Sequence, residues 1–149
     1  MIRYKTIERE RMQDAPFIGC LISAIDCYFN CKGCFNQHLK DSPILKIDEY
    51  ELLQSVKDNP FEEGIILGGL EWVNQAEEML RLISIAWQMD LKVMIYTGMD
   101  EEHFFNYVRK DIFEGVYIKF GNYDPHQLSD SNVQMGVKLA SDNQKIVKY

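Results

Sequence analysis

The chain has 149 residues, of which 46% are hydrophobic and 12% aromatic, and its 16 basic residues are scattered among 23 acidic ones. This length suits one domain over residues 1–149, with enough apolar side chains for a real core. Phosphate backbones demand concentrated positive charge, so a net charge of −7 without a basic stripe excludes direct nucleic-acid binding as an expected function.

No apolar run reaches the length of a membrane span, and the amino-terminal residues lack the apolar region of a secretory signal. We therefore expect a cytoplasmic protein without a membrane segment. Thiols stay reduced in the cytoplasm, so clustered cysteines there are metal ligands or catalytic groups more often than disulfides.

Strand and helix patterns alternate along the chain. An apolar run predicts a buried strand over 17–25, and Asp48 followed by Glu51 predicts a capped helix over 47–58. Further along, the patterns predict strands at 64–69, 91–98 and 115–123, helices at 74–90 and 99–113, and two extended segments around a turn at 141–144.

This alternation indicates βαβ units and therefore an α/β fold with a parallel sheet. A complete eight-stranded α/β barrel typically needs about 250 residues. A chain of 149 residues supplies only part of one. We expect an incomplete, or partial, βα barrel whose parallel sheet is open on one side.

Three of the four cysteines lie in the stretch DCYFNCKGCFN, where Cys27, Cys31 and Cys34 have the spacing Cys-x3-Cys-x2-Cys. This spacing places three sulfurs within reach of one small centre. A structural zinc site requires four ligands, and an electron-transfer cluster is normally bound by four cysteines, one more than this motif supplies. A 4Fe-4S cluster with three protein ligands and one open iron suits the stretch better, and an open coordination site indicates chemistry rather than scaffolding.

Two alternatives from other functional classes stay open. In a zinc-stabilised interaction domain, Cys20 or His38 would be the fourth ligand. Cys20 lies in the middle of an apolar run, however, where a cysteine most often is a small buried hydrophobe. In a simple electron carrier, the cluster would only relay electrons.

Each unusual loop follows a predicted strand, at the edge where α/β folds build active sites. The cysteine stretch follows the first of these strands, Gly68–Glu71 the second, Tyr96–Gly98 the third and Phe120–Asn122 the fourth. Because the carboxyl ends of parallel strands share one edge, we expect these loops to meet.

The cysteine spacing resembles the signature of the radical S-adenosylmethionine enzymes, in which the amino and carboxylate groups of S-adenosylmethionine occupy the open iron. The resemblance implies a partial barrel of the radical S-adenosylmethionine type, with Cys27, Cys31 and Cys34 as cluster ligands. It also implies that Phe35 and Asn36, which end the cysteine loop, lie against the cofactors.

The same resemblance implies roles for the two glycine loops. The carbonyls of Gly68 and Gly69 would accept the amino group of the cofactor, and Glu71 would add a counter-charge. Thr97 and Gly98 would line its adenosine or methionine part. Plain turns between strand and helix, the second capped by Asp100, explain these loops as well.

A narrower resemblance is to the small activating proteins of the anaerobic ribonucleoside-triphosphate reductases. Their cysteine loop commonly ends Gly-Cys-aromatic-Asn, as in 33–36 here, and they often carry a Tyr-Thr-Gly-like segment and a Ser-x-Asn-Gln-basic segment, as at 96–98 and 141–145. One departure concerns the glycine pair. The usual motif continues with an acid and a proline, whereas here Leu70 separates Gly69 from Glu71 and Trp72 stands in the proline's place.

This narrower resemblance implies a glycyl-radical activase. A flavodoxin-like or other one-electron reductant would reduce the cluster, S-adenosylmethionine would be cleaved, and a glycine of a large partner enzyme would lose a hydrogen atom. The partner would be a large glycyl radical enzyme, with anaerobic ribonucleoside-triphosphate reductase as the leading candidate. Within the same chemistry, a small-molecule substrate is the alternative.

Overall fold

A computed structural model describes residues 1–29, 34 and 36–149 of the protein. In chain order the strands and α-helices are β1 (Ile2–Tyr4), β2 (Ile7–Arg11), β3 (Gly19–Ser23), β4 (Leu45–Ile47), α1 (Glu49–Asp58), β5 (Gly64–Gly68), α2 (Ala76–Gln88), β6 (Lys92–Tyr96), α3 (Glu101–Tyr107), β7 (Tyr117–Phe120), β8 (Val133–Gln134), β9 (Val137–Lys138) and β10 (Lys145–Lys148). None of the helices within this part of the chain is long and apolar enough to cross a membrane.

Six strands form one mixed sheet in the order β10-β7-β6-β5-β3-β2. The four central strands β3, β5, β6 and β7 run parallel, whereas β2 and β10 pair antiparallel at the two edges. The antiparallel edge at β2 has a simple cause. Only residues 12–18 connect β2 to β3, and a parallel crossover needs a dozen or more residues.

Local sequence signals account for where the helices begin. The Asp48 side chain accepts the Glu51 backbone N–H at 3.0 Å, and the Asp100 side chain accepts the His103 backbone N–H at 2.8 Å. Each carboxylate thereby satisfies one of the orphan donors at a helix amino terminus. Both helices therefore start where the sequence predicts.

The helix predicted over 99–113 is shorter in the structure. α3 ends at Tyr107, and a separate 3-10 turn, Lys110–Phe113, follows. The break lets Phe113 enter the core, where its ring packs at 5.5 Å from the ring of Phe104. Burial of two aromatic rings outweighs the few helical hydrogen bonds that the break removes.

The two faces of the sheet are covered differently. One face packs against the helices through residues such as Ile65 and Leu67, whereas the other buries Ile66 under Phe17 and Leu139. Two elements provide this second cover. The segment before β3 is too irregular for the sequence pattern to predict, whereas the extended segment predicted before the turn at 141–144 is present but folds back on itself as the β8–β9 hairpin. Strands β1, β2 and β4 are not predicted either, because β1 and β4 have only three residues each and β2 is almost entirely charged.

We predict that Leu67→Ala lowers the free energy of unfolding by about 2–5 kcal/mol, because Leu67 is fully buried at the centre of the sheet. Anaerobic urea unfolding measures this change. Leu128→Ala is the matched control, since its side chain is largely exposed. Equal losses for the two variants would contradict the placement of β5 in the core.

Candidate functional site

A cleft of about 570 Å³ lies at the carboxyl ends of the parallel strands. Among its lining residues are the eight predicted site residues that the structure describes, namely Cys27, Cys34, Asn36, Gly68, Gly69, Glu71, Thr97 and Gly98. The other two predicted site residues, Cys31 and Phe35, lie outside the described residues. The volume is in the range of small-molecule sites, which are usually about 300–1,000 Å³.

The floor of the cleft is one face of the sheet. Leu21 and Ser23 of β3, Gly68 of β5, Tyr96 of β6 and Lys119 of β7 all line it. Ser23 pairs with Gly68, and Tyr96 pairs with Lys119, in the strand registers. Paired residues of neighbouring strands share a face, so this register directs all five positions into the cleft.

Asp26 holds the start of the cysteine loop. Its carboxylate accepts the backbone N–H of Cys27 at 2.7 Å, and its carbonyl accepts the backbone N–H of Glu71 at 3.0 Å. The loop that follows β3 is thus tied directly to the loop that follows β5. This contact joins residues 45 positions apart in the chain, from 26 to 71.

Two side chains from the same loop strengthen this connection. The indole N–H of Trp72 donates to the carbonyl of Ile22 at 3.0 Å, and the side-chain carbonyl of Gln75 accepts the N–H of Ile25 at 2.8 Å. Both side chains are buried. Trp72 therefore has a structural role, because it ties the segment after β5 to β3, the strand that leads into the cysteine loop.

The two carbonyls of the Gly68-Gly69 pair differ in the hydrogen bonds that they accept. The Gly68 carbonyl accepts the N–H of Ala24 at 3.1 Å and that of Leu70 at 2.9 Å, which uses both of its lone pairs. Of the two predicted acceptors for a cofactor's amino group, Gly69 is consequently the better placed.

Gly69 also has no room for a side chain. Its φ is +76°, and a Cβ there would lie 2.3 Å from Oγ of Ser23 and 2.7 Å from Cβ of Ser23. Rotation of the Ser23 hydroxyl relieves only the first of these contacts. The close approach of the two strand ends thus requires glycine at this position.

Glu71 is 3% exposed and joins the second loop to the third. Its carboxylate accepts the hydroxyl of Thr97 at 3.1 Å, the N–H of Gly98 at 2.9 Å and the N–H of Val73 at 3.4 Å. Burial raises the pKa of Glu71, and these hydrogen bonds oppose that rise. The sequence predicts Glu71 only as a counter-charge, and its role in connecting two loops was missed.

Leu70, which separates Gly69 from Glu71, packs in the core. Leu70 is buried and belongs to the same cluster of apolar side chains as Trp72. This packing therefore leaves Glu71 inside the cleft lining, next to both glycine loops.

Tyr96 and Lys119 on the cleft floor were not predicted as site residues. The Tyr96 hydroxyl donates to the Asp14 carbonyl at 2.5 Å, and burial raises the pKa of Tyr96. The Lys119 ammonium donates to the Gly121 carbonyl at 2.7 Å and lies 5.4 Å from the centroid of the Tyr96 ring. A lysine within the otherwise apolar strand YIKF was the available signal, because buried lysines are rare.

Gln144, in the predicted turn over 141–144, closes another side of the cleft. Its side-chain carbonyl accepts the N–H of Ala140 at 3.0 Å, and its amide donates to the Gly121 carbonyl at 3.3 Å. Lys119 donates to the same carbonyl. The turn thus positions the end of β7 and with it the charged residue on the floor.

The two candidates for a fourth zinc ligand lie in different places. Cys20 is buried on the helix-covered face and does not line the cleft, and burial raises its pKa to about 12. It is therefore the small buried hydrophobe that the sequence indicates. His38 is exposed and does line the cleft.

The chain matches the family model of the 4Fe-4S single cluster domain over residues 18–147. The protein therefore belongs to this family of iron–sulfur domains. No curated protein and no solved structure matches the chain significantly. The family supports the predicted 4Fe-4S cluster, and its thiolate ligands are the expected ones for such a centre.

We predict that Gly69→Ala destabilises the protein by about 2–5 kcal/mol, through backbone strain and overlap with Ser23. Gly136→Ala is a matched control, because Gly136 also has a positive φ of +80° but nothing within 4 Å of an added Cβ. That variant should lose only about 1–2 kcal/mol. Urea unfolding of both variants tests the difference, and equal losses would contradict the close contact between the strand ends.

Proposed function

We propose that the protein is a radical S-adenosylmethionine enzyme that generates a glycyl radical on a large partner, anaerobic ribonucleoside-triphosphate reductase. One observation carries this proposal. Cys27 and Cys34 line the same cleft as the Gly68-Gly69 and Thr97-Gly98 loops. A cysteine motif and two glycine loops at one sheet edge are what a cluster with an adjoining small cofactor requires.

The donor set fits a cluster with an open iron. Cys27 and Cys34 are both half-buried in the lining of the cleft, and the motif contributes Cys31 as its third thiol. Cys20 lies away from the cleft. Three thiolates leave one iron of a 4Fe-4S cluster without a cysteine, and this favours cofactor chemistry over simple electron transfer.

The remaining lining residues suit S-adenosylmethionine. When bound, the reduced cluster supplies the electron that splits this cofactor into methionine and a 5′-deoxyadenosyl radical. The Gly69 carbonyl is an acceptor for the cofactor's ammonium group, and the positive charge of Lys119 on the cleft floor complements its carboxylate. Glu71 would not contact the cofactor itself. It would position Thr97 and Gly98, to which it is hydrogen-bonded.

The sheet suits a macromolecular substrate. Its strand order ends at β2 on one side and at β10 on the other, so the described strands leave the sheet open. The partial barrel predicted from the sequence would admit a loop of the partner through such an opening. Docking of the partner would then cover the cleft and exclude water from the reaction.

We expect an anaerobically reconstituted, reduced sample to give a 4Fe-4S electron paramagnetic resonance signal that shifts when S-adenosylmethionine is added. The shift reports binding at an iron without a cysteine ligand. A signal indifferent to the cofactor would indicate an electron carrier. A colourless protein that contains zinc would overturn the cluster chemistry altogether.

Cysteine variants sharpen this test. Cys34→Ser should lose most of the cluster signal, whereas Cys20→Ala should keep both the signal and the shift, since Cys20 lies outside the cleft. Loss of the cluster in Cys20→Ala, with the fold intact by circular dichroism, would contradict the assignment of ligands.

We predict that co-incubation with reductant, S-adenosylmethionine and anaerobic ribonucleoside-triphosphate reductase yields a glycyl radical on the reductase. Formation of 5′-deoxyadenosine should then be coupled to that radical more closely than in the activase alone, because the docked partner shields the cleft. The radical is measured by electron paramagnetic resonance and the nucleoside by chromatography. Cofactor cleavage without a protein radical would instead favour a small-molecule substrate.

A further inference from the structure

A second groove lies at the opposite edge of the sheet, before strands β5, β6 and β7. It has a volume of about 910 Å³ and is lined from three segments, 57–63, 80–93 and 111–116. It shares no lining residue with the cleft described above. We call it the amino-edge groove.

The amino-edge groove presents apolar side chains to solvent. Trp87 at the end of α2 is 74% exposed, and Ile112, from another of the three lining segments, is 42% exposed. Pro60 and Leu80 also line the groove. Tryptophan is strongly enriched among residues that dominate the energy of protein interfaces, so an exposed Trp87 inside a groove points to a binding partner.

Carboxylates outnumber ammonium groups among the residues that line this groove. Five carboxylates but only two lysine ammonium groups line it. Glu62 is paired with Arg9, Glu63 with Lys92 and Asp111 with Arg109. Two further carboxylates, Asp90 and Glu114, are exposed and have no ion-pair partner within the part of the chain that the structure describes, and they outnumber the one lining cation without such a partner there, Lys57.

We propose that the amino-edge groove binds a basic, amphipathic segment of another protein. An apolar centre with a charged rim is the usual anatomy of such an interface. A second copy of this chain is disfavoured, because two chains of charge −7 repel each other.

This inference is independent of the proposed chemistry at the cleft. The groove and the cleft lie at opposite ends of the parallel strands, so failure of either assignment leaves the other untouched. The groove offers an attachment point that leaves the carboxyl edge of the sheet accessible.

The two tryptophans provide a direct readout. Trp72 is fully buried, whereas Trp87 is exposed in the groove, so a ligand there shifts only the emission of Trp87 toward shorter wavelength. The probe is a synthetic helix of about four turns with a leucine stripe and lysines on the remaining positions. Its control carries glutamates in place of the lysines.

We expect the reconstituted full chain to bind the lysine peptide at least about tenfold more tightly than the glutamate peptide, with an affinity that falls as salt is added. Equal binding of both peptides would show apolar adsorption only and would overturn the proposal. So would the absence of any emission shift, or a shift caused by raising the protein concentration without peptide.

Variants locate the binding, with isothermal calorimetry as the second measurement. Ile112→Lys should weaken the lysine peptide at least about tenfold, whereas Tyr107→Lys, an equally drastic change at an exposed residue outside the groove, should not. The double variant Asp90→Asn, Glu114→Gln removes only negative charge from the lining and should reduce the salt dependence. Unchanged binding in Ile112→Lys and in the double variant would overturn the assignment.

Discussion

The candidate site depends on the fastening of three strand-end loops to one another. The carboxylate of Glu71 binds the third loop through Thr97 and Gly98, while its backbone N–H binds the first loop through the carbonyl of Asp26. A buried carboxylate is costly unless its oxygens are hydrogen-bonded, and here three donors satisfy them. Loss of this carboxylate would remove the side-chain hydrogen bonds between the second and third loops, while the backbone N–H at this position would still bind the first loop.

The convergence of these loops was predictable from the sequence, because parallel strands place their carboxyl ends at a shared edge. The positions of α1 and α3 were predictable from the capping carboxylates of Asp48 and Asp100. The partners of Glu71 were not. Its bonds to Thr97 and Gly98 cross 26 and 27 positions of the chain, and no local pattern encodes a distance of that kind.

The walls of the cleft illustrate a second limit. Arg11 and Asp14 line it from one side, and Ala140 and Gln144 from another. These residues lie on a charged edge strand, in a loop and in a turn, where alternation of apolar and polar residues is weak. Lys119 was visible in the sequence as a charge within an apolar strand, yet only the register with Tyr96 shows that it faces the cleft.

The contribution of Gln144 to the cleft has a consequence for the order of events during synthesis. The cysteines leave the ribosome early, at positions 27 to 34, whereas the turn that orders the end of β7 is made more than 100 residues later. Until then the cleft that Cys27 and Cys34 line lacks the side that Gln144 provides, so we expect their thiols to be more accessible to oxygen and to competing metal ions. We therefore expect a cluster to be loaded into the cleft only after the turn that contains Gln144 has been made.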